Sequence, residues 1–213
     1  MTTGERRPYK RAAQDVRRDA MIAAALKLIS QGGIAAATVR AIAEKAGVTP
    51  GLIRHYYKTK EDLTRAAYQT VMDRMTAANA VVLDTAPGDA EVRLADFVCA
   101  SLRPPVVDPA AMGLWAGFIH LVQSDPAFRE VHRTTYLGYR DLLQSLIAAL
   151  PRKAGAAQLR AEAIACNGLI DGLWLEACAL PEAFVKDELA EIGVRSVGAI
   201  LGMDLLAKAG FAP

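Results

Sequence analysis

Apolar residues recur at helical spacing along nearly the whole chain. Ile22, Ala25, Leu26 and Ile29 form one set, Val39, Ile42, Ala43 and Ala46 a second, and Leu142, Leu143, Leu146, Ile147 and Leu150 a third. No window sustains the period-two alternation of a half-buried strand. Breaks fall at Gly32-Gly33, Gly47, APGD at 86–89, RPPVVDP at 103–109, Ser124-Asp125-Pro126, LPRKAG at 150–155 and LPE at 180–182. The pattern predicts an all-α fold of about nine helices, without repeats or a flexible linker. One predicted helix begins near Lys60, runs to about Val82 and should couple the two ends of the chain rigidly.

At 213 residues the chain can bury a sizeable core. The longest run free of Asp, Glu, Lys and Arg, residues 109–124, is shorter than the ~20 apolar residues of a membrane helix. The basic N-terminus MTTGERRPYKRAAQDVRR has no apolar stretch behind it and is not expected to be a secretory signal, so a cytoplasmic protein is expected. Cys99, Cys166 and Cys178 lie far apart in apolar surroundings and lack metal-ligand spacing, which predicts buried reduced thiols and no metal site or cofactor.

Charge changes the picture by its distribution. The total is only +2, yet residues 1–60 sum to +8 and residues 61–213 to −6. A polyanion-binding end joined to a body with a different task is the implied organisation.

The basic end contains TVRAIAEKAGVTPGLIRHYYKTKEDL at 38–63. Thr38 is placed to cap a helix whose apolar face is Val39, Ile42, Ala43 and Ala46, and Gly47 suits the left-handed position that ends it. Thr49 is a second N-cap, with Pro50 at the first helical position. Two short helices joined by a glycine turn make a helix-turn-helix, whose second helix can enter the major groove. With Val48, Leu52 and Ile53 turned inward, Pro50, Gly51, Arg54 and His55 face outward. Tyr56 and Tyr57 close the helix, and Lys58 and Lys60 follow it. Tyr and Lys suit phosphates, and Arg54 is the candidate base reader because a guanidinium pairs bidentately with guanine.

This segment resembles the DNA-binding motif of the TetR family of bacterial regulators over residues 18–65. Thr38, Ile42, Ala46-Gly47-Val48, Gly51, His55-Tyr56, Lys60 and Leu63 stand where the family has its signature types. Arg54 stands where Tyr is common and Tyr57 where Phe is, so no operator sequence carries over. The resemblance implies an all-helical homodimer that represses transcription and releases its double-stranded DNA operator when a small molecule enters the body. It also implies phosphate contacts from Thr38, Thr49, His55, Tyr56 and Lys60, with Pro50, Gly51 and Arg54 approaching bases. The expected division is a DNA-binding domain of three helices at 1–65, carrying a basic N-terminal arm, and a larger helical ligand-binding and dimerisation domain at 66–213. Arg6, Arg7, Lys10 and Arg11, interrupted by Pro8, are expected to form a disordered arm before the first helix.

In the body, IACNGLIDGLWLEACAL at 164–180 places Gly168, Gly172, Leu175 and Ala179 on one helical stripe, and Asn167, Asp171, Trp174 and Cys178 on the next. Each interior glycine costs about 1 kcal/mol of helix stability relative to Ala, so the pair suggests close approach to a neighbour. Gly198 and Gly202 repeat the spacing. These helices are therefore candidates for a dimer interface through Gly168, Gly172, Leu175, Gly198 and Gly202. Polar Asn167 and Asp171 within an apolar helix need partners and point to a cavity. LWAGF at 114–118 and LIDGLWLEA at 169–177 resemble the C-terminal domain of BetI-type regulators. Trp115, Phe118, Asn167, Asp171 and Trp174 are the candidate pocket residues, and the candidate effector is a small organic cation held between Trp115 and Trp174 near Asp171.

Two other classes compete: a small enzyme and a helical interaction module that does not bind DNA. The chain lacks a GxSxG elbow, a P-loop, GxGxxG and metal-spaced His or Cys. Neither alternative explains the basic helix-turn-helix.

Overall fold

In the computed structural model, residues 6–85 and 88–211 are described, except the side chains of 6–13, 82, 84 and 85. Among the described residues there are nine α-helices and no strand: α1 Arg6–Ala36, α2 Val39–Ala46, α3 Pro50–Tyr56, α4 Lys60–Thr85, α5 Ala90–Ser101, α6 Pro109–Ser124, α7 Pro126–Ala148, α8 Ala156–Ala179 and α9 Glu188–Leu201. Short 3-10 turns follow α8 and α9, at Pro181–Ala183 and Ala207–Ala209. No helix among them is long and apolar enough to cross a membrane.

The chain forms two compact units, Met1–Val71 with Gly113–Val131, and Met72–Met112 with His132–Pro213. The backbone therefore passes between units three times, not once near residue 65. In the first unit, α1 contributes Met21, Ala25 and Ile29 to a core shared with Ile42 and Ala43 of α2, Ile53 of α3, and Leu63, Ala67 and Tyr68 of α4. Phe118 and Phe128 complete it, with Phe118 centred 4.8 Å from Tyr68. Phe118 was expected to line a pocket. It is fully buried and stacks in this aromatic core, which is where a Phe with no polar handle gains most, about 1.5–3 kcal/mol.

Helix α1 starts earlier than the pattern predicts. Its first turn tolerates Pro8, because the N–H that proline lacks has no intrahelical partner there. Arg6, Arg7, Lys10 and Arg11 thus lie on helical backbone, not in a disordered arm, while residues 1–5 of that arm fall outside the described residues. The other end of α1 breaks at Gly32 and Gly33, the latter at φ 68°.

The second unit packs α5 against α8 and α9, with Leu94, Phe97, Val98, Cys166, Ile170, Trp174, Val194 and Val197 inside. Gly193 lets α9 approach α5: a Cβ there would run into the end of the Leu102 side chain and stand 3.4 Å from Val98 Cγ1. Gly198 is likewise buried, and its Cβ would meet the Met203 carbonyl oxygen at 2.6 Å. Its close approach is therefore to its own chain, not to the expected dimer partner. Gly202 is the left-handed C-cap of α9 at φ 68°, and its N–H bonds back to Ala199 and Gly198 carbonyls. All three cysteines are buried and unpaired, as the sequence suggests. Burial pushes the Cys99 thiol to about 11 and Cys166 to about 12, so both behave as packing groups.

Candidate functional site

The helix-turn-helix forms as its residue types dictate. Thr38 Oγ1 accepts from Ala41 N at 3.2 Å, and Gly47 turns at φ 65° so that its N–H reaches the Ala43 and Glu44 carbonyls. Thr49 Oγ1 accepts from Leu52 N at 3.2 Å, with Pro50 next in line. Capping uses the lone pairs of these hydroxyls and leaves their O–H hydrogens free to donate. Both threonines are exposed, so each can serve a helix and a phosphate at once.

On α3, Ile53 is buried and Leu52 half-buried, as is Val48 in the turn before it, while Pro50, Gly51, Arg54 and His55 are exposed. Tyr56 is half-exposed and sits edge-on to the His55 ring at 5.5 Å. Tyr57 differs from Tyr56: it is buried, and the Arg18 guanidinium lies 5.9 Å from its ring centroid, tying α1 to the end of α3. Lys60 differs too. Its Nζ donates to the Ile34 carbonyl at 3.1 Å, beside the Ala37 N–H that bonds the same oxygen, so its ammonium is already tied to the end of α1. Sequence reasoning missed that tie because the two residues are far apart in the chain.

It also missed a capping box at the start of α4. Thr59 N donates to Asp62 Oδ2 at 3.1 Å and Asp62 N donates to Thr59 Oγ1 at 3.0 Å, which holds the turn carrying Lys58 and Lys60. The Thr-x-x-Asp spacing was the available clue. Arg40 and Lys45 of α2, and Lys58 after α3, are further exposed cations.

In the second unit, Asp171 meets partners that were not foreseen. Tyr136 Oη donates to Asp171 Oδ2 at 2.6 Å, and Asn167 Nδ2 reaches the same oxygen at 2.8 Å. His132, one turn before Tyr136 on α7, stacks on its ring at 5.2 Å. Desolvation raises the Asp171 carboxyl above its ordinary value despite these bonds, and lowers His132, which favours neutral imidazole. Burial, then Asp171, push the Tyr136 hydroxyl to about 12. Asn167 and Asp171 were legible as polar groups in need of partners, and the i, i+4 spacing of His132 and Tyr136 was the available clue to the α7 half of this cluster. Trp174 does not present a free indole edge here: it is buried and its Nε1 donates to the Val106 carbonyl at 3.0 Å. Trp115 is half-buried on α6 and belongs to the first unit.

Helix α8 turns Ile164, Gly168, Gly172, Leu175 and Ala179 outward, and nothing stands within 4 Å of a Cβ built at either glycine. Ile192 and Ile200 of α9 are also exposed.

Residues 21–67 match the profile described as bacterial regulatory proteins, tetR family, and residues 90–202 match the one described as BetI-type transcriptional repressor, C-terminal. The chain belongs to the TetR family of transcriptional regulators. Among TetR relatives, the HTH-type transcriptional regulator BetI of Escherichia coli O45:K1 (strain S88) is 32% identical over 178 residues, 83% of this chain and 90% of the relative. A protein of Pseudomonas aeruginosa PAO1, described as a transcriptional regulator, has a similar solved structure. It gives a TM-score of 0.79 at 34% identity, covering 93% of this chain and 95% of that one. A Saccharomonospora viridis protein described as a transcriptional regulator, solved in complex with choline, shares the fold. Its TM-score is 0.69 at 18% identity, over 84% of this chain and 94% of that one. The relatives are TetR regulators, not enzymes.

Proposed function

We propose that the protein is a homodimeric repressor that binds a pseudo-palindromic DNA operator through α3 and releases it when a small organic cation occupies the body. It would act in the cytoplasm, with DNA recognition assigned to residues up to about 65 and effector binding and dimerisation to the remainder. The observation that carries the reading is α3 itself, capped by Thr49 and presenting Arg54 and His55 to solvent at the basic end of the chain. Arg54 reads a base, while Thr38, Thr49, His55 and Tyr56 position the backbone and Pro50-Gly51 allow close approach.

The repressor assignment draws on the description of the profile matched at 90–202. The choline complex of the Saccharomonospora viridis protein favours a cationic effector, and Asp171 supplies the countercharge. The aromatic neighbour of Asp171 is Tyr136 with His132 behind it, rather than Trp174. The exposed stripe of Gly168, Gly172 and Leu175, continued by Ile192 and Ile200, is the proposed dimer face.

Selection of binding sites from a random duplex pool tests the whole reading. The expected result is an enriched inverted repeat whose half-sites follow protein two-fold symmetry. Recovery of no preferred sequence would remove the operator.

A further inference from the structure

The cluster of Asp171, Tyr136, Asn167 and His132 between α7 and α8 is saturated on one side only. Tyr136 spends its hydroxyl hydrogen on Asp171 Oδ2 at 2.6 Å. Asn167 Nδ2 spends its hydrogens on Tyr136 Oη at 2.6 Å and on Asp171 Oδ2 at 2.8 Å. Every donor of this triad is therefore used within it. The acceptors are not: Asn167 Oδ1 is buried without a partner in a residue 2% exposed, and Asp171 Oδ1 has no hydrogen-bond partner among the described residues. Reversing the Asn167 amide gives no relief, because it would set an amide oxygen against the carboxylate.

We propose that this cluster is a socket for a protonated amine, which brings both positive charge and N–H donors, and that it discriminates against quaternary ammonium ions, which bring charge alone. The inference rests on the cation-effector reading and adds the chemistry of the headgroup. An ammonium fills Asn167 Oδ1 and Asp171 Oδ1 together and sets its charge beside the Tyr136 ring. A quaternary ion leaves the buried acceptor unpaired. A carboxylate or phosphate ligand would face Asp171 directly. Arg140 acts on Tyr136 electrostatically but donates no hydrogen bond to it or to Asp171. His132 is held toward its neutral form, so it does not cancel the Asp171 charge. Asp171 keeps an exposed edge, which leaves an entry route, while its carboxyl lies deep enough among neighbouring groups for desolvation to raise it.

Two probes of matched tetrahedral shape and equal charge separate the possibilities: tert-butylammonium, with three N–H donors, and tetramethylammonium, with none. Calorimetry on the full chain at neutral pH is expected to show tert-butylammonium binding at least ~10-fold tighter, since hydrogen bonds to a charged acceptor are among the stronger ones. Asp171→Asn should abolish binding of both, and Asn167→Ala should narrow the preference. If the Asn167 variant fails to fold, the probe pair on the parent still decides. Equal affinity, or tighter tetramethylammonium, would overturn the donor requirement while leaving a cation effector in place. Heat from neither probe would overturn the socket and the cation reading together.

Discussion

Four glycines with the same spacing illustrate what a sequence shows at the residue scale and what it does not. Gly168 and Gly172, and again Gly198 and Gly202, are separated by one helical turn and read alike. In the fold the first pair faces open space, Gly198 is pressed against the Met203 carbonyl, and Gly202 is a left-handed cap. Spacing reveals a need for small residues but not whose backbone is near. Gly198→Ala should therefore destabilise the protein by ~1–3 kcal/mol, because the added carbon meets rigid backbone. Urea unfolding of parent and variant measures it. A second residue-scale prediction concerns Arg152, which donates from Nη1 to Glu162 Oε1 at 2.8 Å and from Nη2 to Oε2. With Gln158 also donating, these bonds hold the Glu162 carboxyl below its ordinary 4.5. A depressed carboxylate stabilises the fold above its unfolded value, and that contribution is lost as pH falls through the folded one. Glu162→Gln should thus cost ~1 kcal/mol at neutral pH, and the gap to the parent should close progressively below about 4.5. Thermal unfolding across that range gives the comparison.

At the element scale, the recognition motif was legible almost to the residue because every boundary is set locally. Thr38, Gly47, Thr49 and Pro50 each act within four residues of themselves, and each does what its chemistry predicts. The ends of α1 were not legible, since Pro8 can either precede a helix or sit in its first turn. The bond from Lys60 was not foreseen for a related reason: its acceptor, Ile34, is brought to it by tertiary packing. The two lysines at the start of α4 should consequently part company. Lys58→Ala should weaken DNA binding and lower the salt slope by about one unit with melting unchanged, whereas Lys60→Ala should also lower the melting temperature. Within α3, Arg54→Ala should relax preference at one base pair and cost ~1–3 kcal/mol there. Thr49→Ala should lower affinity for all sequences alike, losing a cap worth ~1 kcal/mol along with a phosphate donor. Site selection with both variants distinguishes them; unchanged preferences for Arg54→Ala would end its role as a reader.

For the whole molecule, symmetry is the property no single chain displays, and it governs whether two copies of α3 can reach one operator. The outward stripe of α8 is the place to test it. A protomer has no internal use for Gly168 and Gly172: both cost helix stability, and neither is required by packing or by backbone angle. Their retention beside Ile164 at 44% exposure and Leu175 at 39% makes sense if a second α8 lies against them. Gly168 and Gly172 are exposed and a Cβ at either meets nothing within 4 Å, so Gly168→Leu and Gly172→Leu should each fold with native helix content. Across a close helix pair the same bulk costs ~1–3 kcal/mol per contact, and a two-fold interface meets it twice. Sedimentation at micromolar protein should show the parent as a dimer and each variant shifted toward monomer. Operator affinity should fall in step, because one α3 holds only a half-site. Gly198→Leu serves as the control with the opposite signature, loss of folding before loss of assembly. A dimer that survives both α8 variants with full DNA affinity would move the interface to another face.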